Sequence, residues 1–251
     1  MQLRLKNYLW AGFLLTTALF LGGADGSGCG GKNVFESMSD DNTTEAKIEK
    51  ARIAIDKKEY ADAIQTLEGL CGTVLTAPTC NPEITSLYAS AYAGRAGLDV
   101  FQLISEGANR PAGPDSSFTL FSSHYAASTD IADMDSALTL LKSIPLTSPR
   151  TPDQGLQLAL TATSHLVITL GGLTGGYDPV TGKPITIPGP ANIPQAAAAI
   201  PAVQTDVGLM GTGLTESGIG GEQLGSHITQ IQNSLNTTDP NAVITFLGSI
   251  Q

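Results

Sequence analysis

TEAKIEKARIAIDKKEYADAIQTLEGL (residues 44–70) carries the period that decides the fold. Ile48, Ala51 and Ile55 recur at three- and four-residue intervals, with Lys47, Glu49, Lys50 and Arg52 at the wet positions between them. That spacing predicts a helix with one buried stripe. Thr44-Glu45-Ala46-Lys47 offers a cap and an acid in the first turn. Glu49, three residues before Arg52, adds a modest supporting pair. Lys57-Lys58-Glu59 closes this helix. A second begins at Tyr60 and sets Ala63, Ile64, Leu67 and Leu70 on one face.

Further helices follow on both sides of short breaks. After a loop over 72–81, Pro82 suits the first position of a third helix, with Leu87, Ala91 and Tyr92 facing inward. Gly94 or Gly97 ends it, and Leu98 to Ile104 make a fourth. Pro111-Ala112-Gly113-Pro114 is a break, and Asp115 caps a helix holding Phe118, Leu120 and Phe121. Ser128-Thr129-Asp130 opens another, with Ile131, Met134, Leu138 and Leu141 at helical spacing. Beyond Pro145, Pro149 and Pro152 the expected helices are Asp153 to Leu170, Gln195 to Leu214, Glu222 to Leu235 and Pro240 to Ser249. Pro201 marks either a kink or the true first turn of the second of these. Gly171 to Pro194 is too rich in Gly and Pro for one regular element, and its Val180–Ile185 stretch fits a short β-hairpin. Gln154 to Tyr177 holds no charge, but Gln157, Thr161, Thr163, Ser164, His165 and Thr169 favour a buried core helix over a membrane span. The fold class expected is all-α with one long Gly/Pro loop.

Ala51, Tyr60, Ala63, Ile64 and Leu67 stand at intervals that resemble the tetratricopeptide repeat (TPR): a small residue on the first helix, an aromatic at the turn, alanine on the second. Ala89 and Tyr92 look like the start of a second unit, offset by 38 residues from Ala51 against a repeat of about 34. Phe101 stands where that unit would carry its small alanine. The resemblance covers residues 45–105 and implies helix pairs that stack into a partner-binding surface. It makes Tyr60, Tyr88 and Tyr92 the candidate contact or core aromatics. Similar TPR lipoproteins serve in envelope assembly, as pilotins or beside transporters.

The chain opens with the parts of an export signal. Arg4 and Lys6 precede an apolar run from Tyr8 to Leu21, then small residues through Gly28. The run is shorter than the roughly 20 residues a span needs. Two cleavages fit: after Ala24, or before Cys29 with lipid on its sulfur. Gly26-Ser27-Gly28-Cys29 resembles the lipobox of bacterial lipoproteins, with Gly26 in place of the usual leucine. There are three cysteines, Cys29, Cys71 and Cys80. A lipid on Cys29 leaves Cys71 and Cys80 as a disulfide pair in an oxidising compartment. The expected organisation is a signal peptide at 1–28, a tether at 29–43, TPR-like hairpins at 44–107 and a helical region at 108–251. Gly30, where an inner-membrane retention signal would place Asp, implies the outer membrane, facing the periplasm.

Charge narrows the partners. The chain carries −10, and −11 without residues 1–28. Beyond Arg150 its one basic residue is Lys183. Nucleic acid is excluded as a partner, because phosphate contacts need clustered cations. His124, His165 and His227 lie far apart, none with a His or Cys at metal-ligand spacing, so no metal or other cofactor is expected. No nucleophile elbow, zinc-protease, P-loop or dinucleotide motif occurs, and no enzyme activity is expected. Two Asn-x-Thr sequences, at Asn42 and Asn236, read as chance. The expectation is an envelope-anchored scaffold for a protein partner. The rival is a lipoprotein binding a small apolar ligand beside Leu158, Leu166 and Leu209.

Overall fold

A computed structural model describes residues 43–74, 80–125, 131–144 and 150–250, which belong to one compact unit, Asp41–Gln251. The signal segment, Cys29 and all of the expected tether but Thr43 lie outside the described residues. Ten α-helices occur among those described, with no named strand: α1 (Thr44–Asp56), α2 (Tyr60–Cys71), α3 (Pro82–Arg95), α4 (Val100–Ala108), α5 (Pro114–Ser122), α6 (Ile131–Ser143), α7 (Pro152–Thr174), α8 (Ile193–Ser217), α9 (Gln223–Leu235) and α10 (Pro240–Ser249). The all-α expectation therefore holds.

Thr43, not Thr44, caps α1, its hydroxyl accepting from the Ala46 amide. α1 buries Ala51 and Ala54, and α2 buries Ala63, Ile64, Leu67 and Cys71 against it. Asn81 caps α3 and Pro82 takes its first turn. Cys71 and Cys80 are joined, with Cα atoms 5.3 Å apart, tying the end of α2 to the start of α3.

The second hairpin forms differently from the sequence expectation. α3 packs on α2 and α1, but its further partner is α6, while α4 packs on α9 and α5. Burial explains the choice. α6 offers Met134, Ala137, Leu138, Leu140 and Leu141, whereas α4 buries only Leu103 and Gly107. Phe101 points outward and is 76% exposed. Packing thus runs α1, α2, α3, α6, α7, α8, with α4 and α5 as an excursion resting on α9. The helices after residue 107 pack on those before it: Gln154 and Gln157 of α7 donate to the Pro82 and Ser86 carbonyls of α3.

α7 and α8 run antiparallel and make the most extensive helix contact. A capping box between Thr151 and Gln154 starts α7. α7 is long and apolar enough to cross a membrane, yet 72% of its apolar window is buried inside the fold. It continues past Gly171 because that glycine admits the Tyr177 ring, 3.1 Å from where a Cβ would stand. Gly175, at φ 68°, caps it. Pro194 occupies the first turn of α8, and Pro201 lies inside the helix. Between α7 and α8 the expected hairpin reduces to a single bridge, Tyr177 to Pro184. Arg150 staples three helices, donating to both Glu216 oxygens (3.0 and 3.2 Å) and to the Leu141 carbonyl.

Candidate functional site

A solvent-open concavity of about 330 Å³ lies where α1 turns into α2, lined by Lys58, Glu59, Tyr60, Ala61, Asp62 and Arg95. The turn is tight because Lys58 adopts a left-handed φ of 62° and the Glu59 amide donates back to the Ala54 carbonyl. Lys58 Nζ then reaches Asp99 Oδ2 at 3.1 Å. Asp99 also caps α4, accepting from the Gln102 amide, and that bond leads the causes holding its carboxyl below the usual range. The bond to Asp99 in turn raises the Lys58 ammonium.

Tyr60 is half-buried. Its ring fills the space above Gly94 of α3, where a Cβ would come within 2.4 Å of it. Burial raises its phenol. Arg95, at the end of α3, clamps the buried Asp133 carboxylate with two bonds of 2.5 Å, and its guanidinium lies 5.2 Å from the Tyr92 ring centre. Tyr92 stacks obliquely on Tyr88, centroids 5.2 Å apart. Of the three candidate aromatics, Tyr60 alone lines the concavity; Tyr92 supports its arginine from behind. Tyr88 is fully buried and is a core residue, with no surface to offer a partner.

The concavity sets two cations and two carboxylates around one aromatic ring. No lining residue is a serine, cysteine or histidine.

The histidines serve elsewhere. His165 of α7 sits between two carboxylates, Nδ1 2.7 Å from Asp206 Oδ2 of α8 and Nε2 3.0 Å from Asp135 Oδ1 of α6. With both ionised, both ring nitrogens donate and the ring is an imidazolium. Burial pulls its pKa down, but the Asp206 bond and the charges of Asp206 and Asp135 outweigh that, and the net shift is upward. Asp206, 1% exposed, is itself raised by burial against the pull of His165. The signal for this cluster was present: an acid inside an otherwise apolar helix needs a partner.

His227 makes a second buried polar cluster. Its Nε2 lies 3.1 Å from the Arg110 carbonyl and 3.3 Å from that of Gly107, which assigns the proton there. Nδ1 then accepts from the Ser117 hydroxyl at 2.9 Å. Both residues are 0% exposed, so this Ser–His pair ties α5 to α9 and lies beyond reach of a substrate. Among the described residues no group of three His, Cys, Asp or Glu is placed to hold a metal ion. Leu158 and Leu166 are wholly enclosed in the core, and Leu209 packs against it. Comparison of the chain with protein families, with curated proteins and with solved structures gave no match.

Proposed function

We propose that this protein is an envelope-anchored helical scaffold of the TPR-like kind, held to the membrane by lipid on Cys29, and that it binds a protein partner at the α1–α2 turn. The observation that carries the reading is the open concavity around Tyr60, with Lys58, Glu59, Asp62 and Arg95 at its edge. Anchored rings are low-entropy contact surfaces, and an arginine beside them is the other residue type that concentrates binding energy. The surrounding charges select orientation and partner more than they add affinity.

The reading is tested by affinity isolation of the full chain from detergent-solubilised envelope. Glu59 and Asp62 are exposed, so E59K/D62K leaves the fold intact by circular dichroism. Recovery of one protein by the wild-type chain, lost with this variant, supports the concavity. Recovery of a lipid or metabolite and no protein refutes it. Labelled palmitate incorporation, abolished by Cys29→Ser, tests the anchor separately.

A further inference from the structure

The segment joining α7 to α8 leaves three large apolar side chains in solvent within eight residues: Val180 at 88%, Ile185 at 60% and Ile187 at 61% exposure. Apolar exposure of this kind in a folded protein marks an interaction surface. The segment is held in place from beneath. Tyr177 is buried, donates to the Val167 carbonyl at 2.8 Å and meets Phe118 edge-on. Gly182, at φ 68°, lies so close to α5 that a Cβ would stand 2.3 Å from the Thr119 carbonyl oxygen, and the Ser122 hydroxyl donates to the Gly182 carbonyl.

From Asp178 to Thr186 the backbone donors are met within the protein. Every position either lacks an N–H (Pro179, Pro184) or spends it on the segment and its α7 stem. Asp178 donates to Lys183, Gly182 to Asp178, Ile185 to Gly176 and Thr186 to Thr174. Val180 and Thr181 donate to the Asp178 carboxylate, and Lys183 to the Thr181 hydroxyl. Donors already met in this way are not left to be desolvated when neighbouring apolar side chains enter the lipid interface. The exposed cation on the segment is Lys183, the one basic residue after Arg150. It can stay at phosphate level while neighbouring apolar groups go deeper.

We infer that residues Val180–Ile187 are a bilayer-contact loop that sets Val180, Ile185 and Ile187 into the interface of a phospholipid membrane with Lys183 at the headgroups. The loop is separate from the partner concavity, and it would give an anchored chain a second membrane contact, which stable attachment favours. The test uses residues 41–251, the compact unit that carries the loop, which holds no tryptophan and lacks both the apolar run and Cys29. V180W and, as control, F101W on α4 are mixed with vesicles of phosphatidylethanolamine and phosphatidylglycerol in equal parts, with bromine on the acyl chains. V180W emission should shift to the blue and lose intensity, with F101W unchanged. I185D/I187D should lower the vesicle-bound fraction roughly tenfold or more. Quenching of V180W no greater than of F101W overturns the inference. So does a V180W blue shift without vesicles that tracks a dimer on gel filtration. E59K/D62K should bind vesicles as the wild type does, so failure here leaves the partner reading standing and the reverse also holds.

Discussion

Gly213→Ala and Gly208→Ala place the same methyl on the same helix, and the structure predicts opposite signs. At Gly213 a Cβ would stand 2.5 Å from the Gly155 carbonyl oxygen, 2.6 Å from the Ala159 amide nitrogen and 2.9 Å from the Ala159 Cβ. Two of the three are backbone of α7, so relief requires the two helices to separate. Overpacking costs typically about 1–3 kcal/mol, and backbone obstruction puts this site near the upper end. Alanine recovers about 0.8–1.0 kcal/mol through helix propensity. The net expectation is a loss of about 2 kcal/mol, which lowers Tm by roughly 4–8 °C in a domain of this size. Gly208 has nothing within 4 Å of its Cβ position. There the propensity gain stands alone, and Tm should rise by roughly 2–4 °C. Thermal unfolding followed by circular dichroism reads both. A Tm for G213A equal to or above wild type would refute the close α7–α8 crossing.

Gly94→Ala should destabilise by about 1–3 kcal/mol by pressing on the Tyr60 ring. In the G94A/Y60A double variant the loss should be well below the sum of the single losses, which denaturant titration measures and which additivity would contradict. Reducing the Cys71–Cys80 link frees a loop with ends nine residues apart and should cost about 2.7 kcal/mol on the chain-entropy estimate, read as a lower urea midpoint; an unchanged midpoint argues against the link. His165 is raised in the folded state, so the stability it contributes is fully present below the unfolded pKa of about 6.5 and is lost as pH rises through the folded value. Asp206 is raised too, by burial, so its contribution likewise falls as pH rises from the ordinary carboxylate value through the folded one, in the same direction as that of His165. Unfolding free energy should therefore fall above about pH 6.5, and H165Q should flatten that fall; a wild-type curve level across the range, or an equal fall in H165Q, removes the imidazolium from the account.

What the sequence made legible was local. The α1 stripe, the Lys57–Glu59 break and the start of α2 at Tyr60 follow from spacing within a few residues, and they hold. Pro82 and Pro240 open their helices as expected, where a missing N–H costs nothing, whereas the first-turn proline of α8 is Pro194, assigned from sequence to the preceding loop, and not Pro201. The pairing of α3 with α6 was not legible, because it depends on which of two later helices carries more buried surface, and α4 intervenes in the chain. Phe101 gave a partial hint by departing from the small residue a second repeat unit needs. The extension of α7 through Gly171 and Gly172 was hidden for the same kind of reason: the ring that occupies the glycine's space comes from Tyr177, beyond the helix end. The concavity was half visible. Tyr60 was singled out, but Arg95 and Asp133 meet only because α6 returns to α3.

A core this rich in alanine and glycine raises a problem of register. Small side chains let α7 and α8 approach closely, but a stripe of similar small residues offers little to distinguish one axial offset from the next, and each gains less by burial than a leucine would. Directional bonds distinguish them. Arg150 meets Glu216 at one end of the α7–α8 contact, and His165 meets Asp206 farther along it. Gln157 reaches Ser86 and Ser90 of α3, and Gln232 of α9 donates to the Val207 carbonyl of α8. A slide of α8 along α7 by one residue breaks the Arg150–Glu216 and His165–Asp206 bonds together and leaves the buried Asp206 carboxyl without its partner, a penalty of several kcal/mol. The polar clusters of this fold are thus accounted for by alignment. The turn that carries Tyr60 and the loop that carries Val180 are exposed and take no part in that alignment.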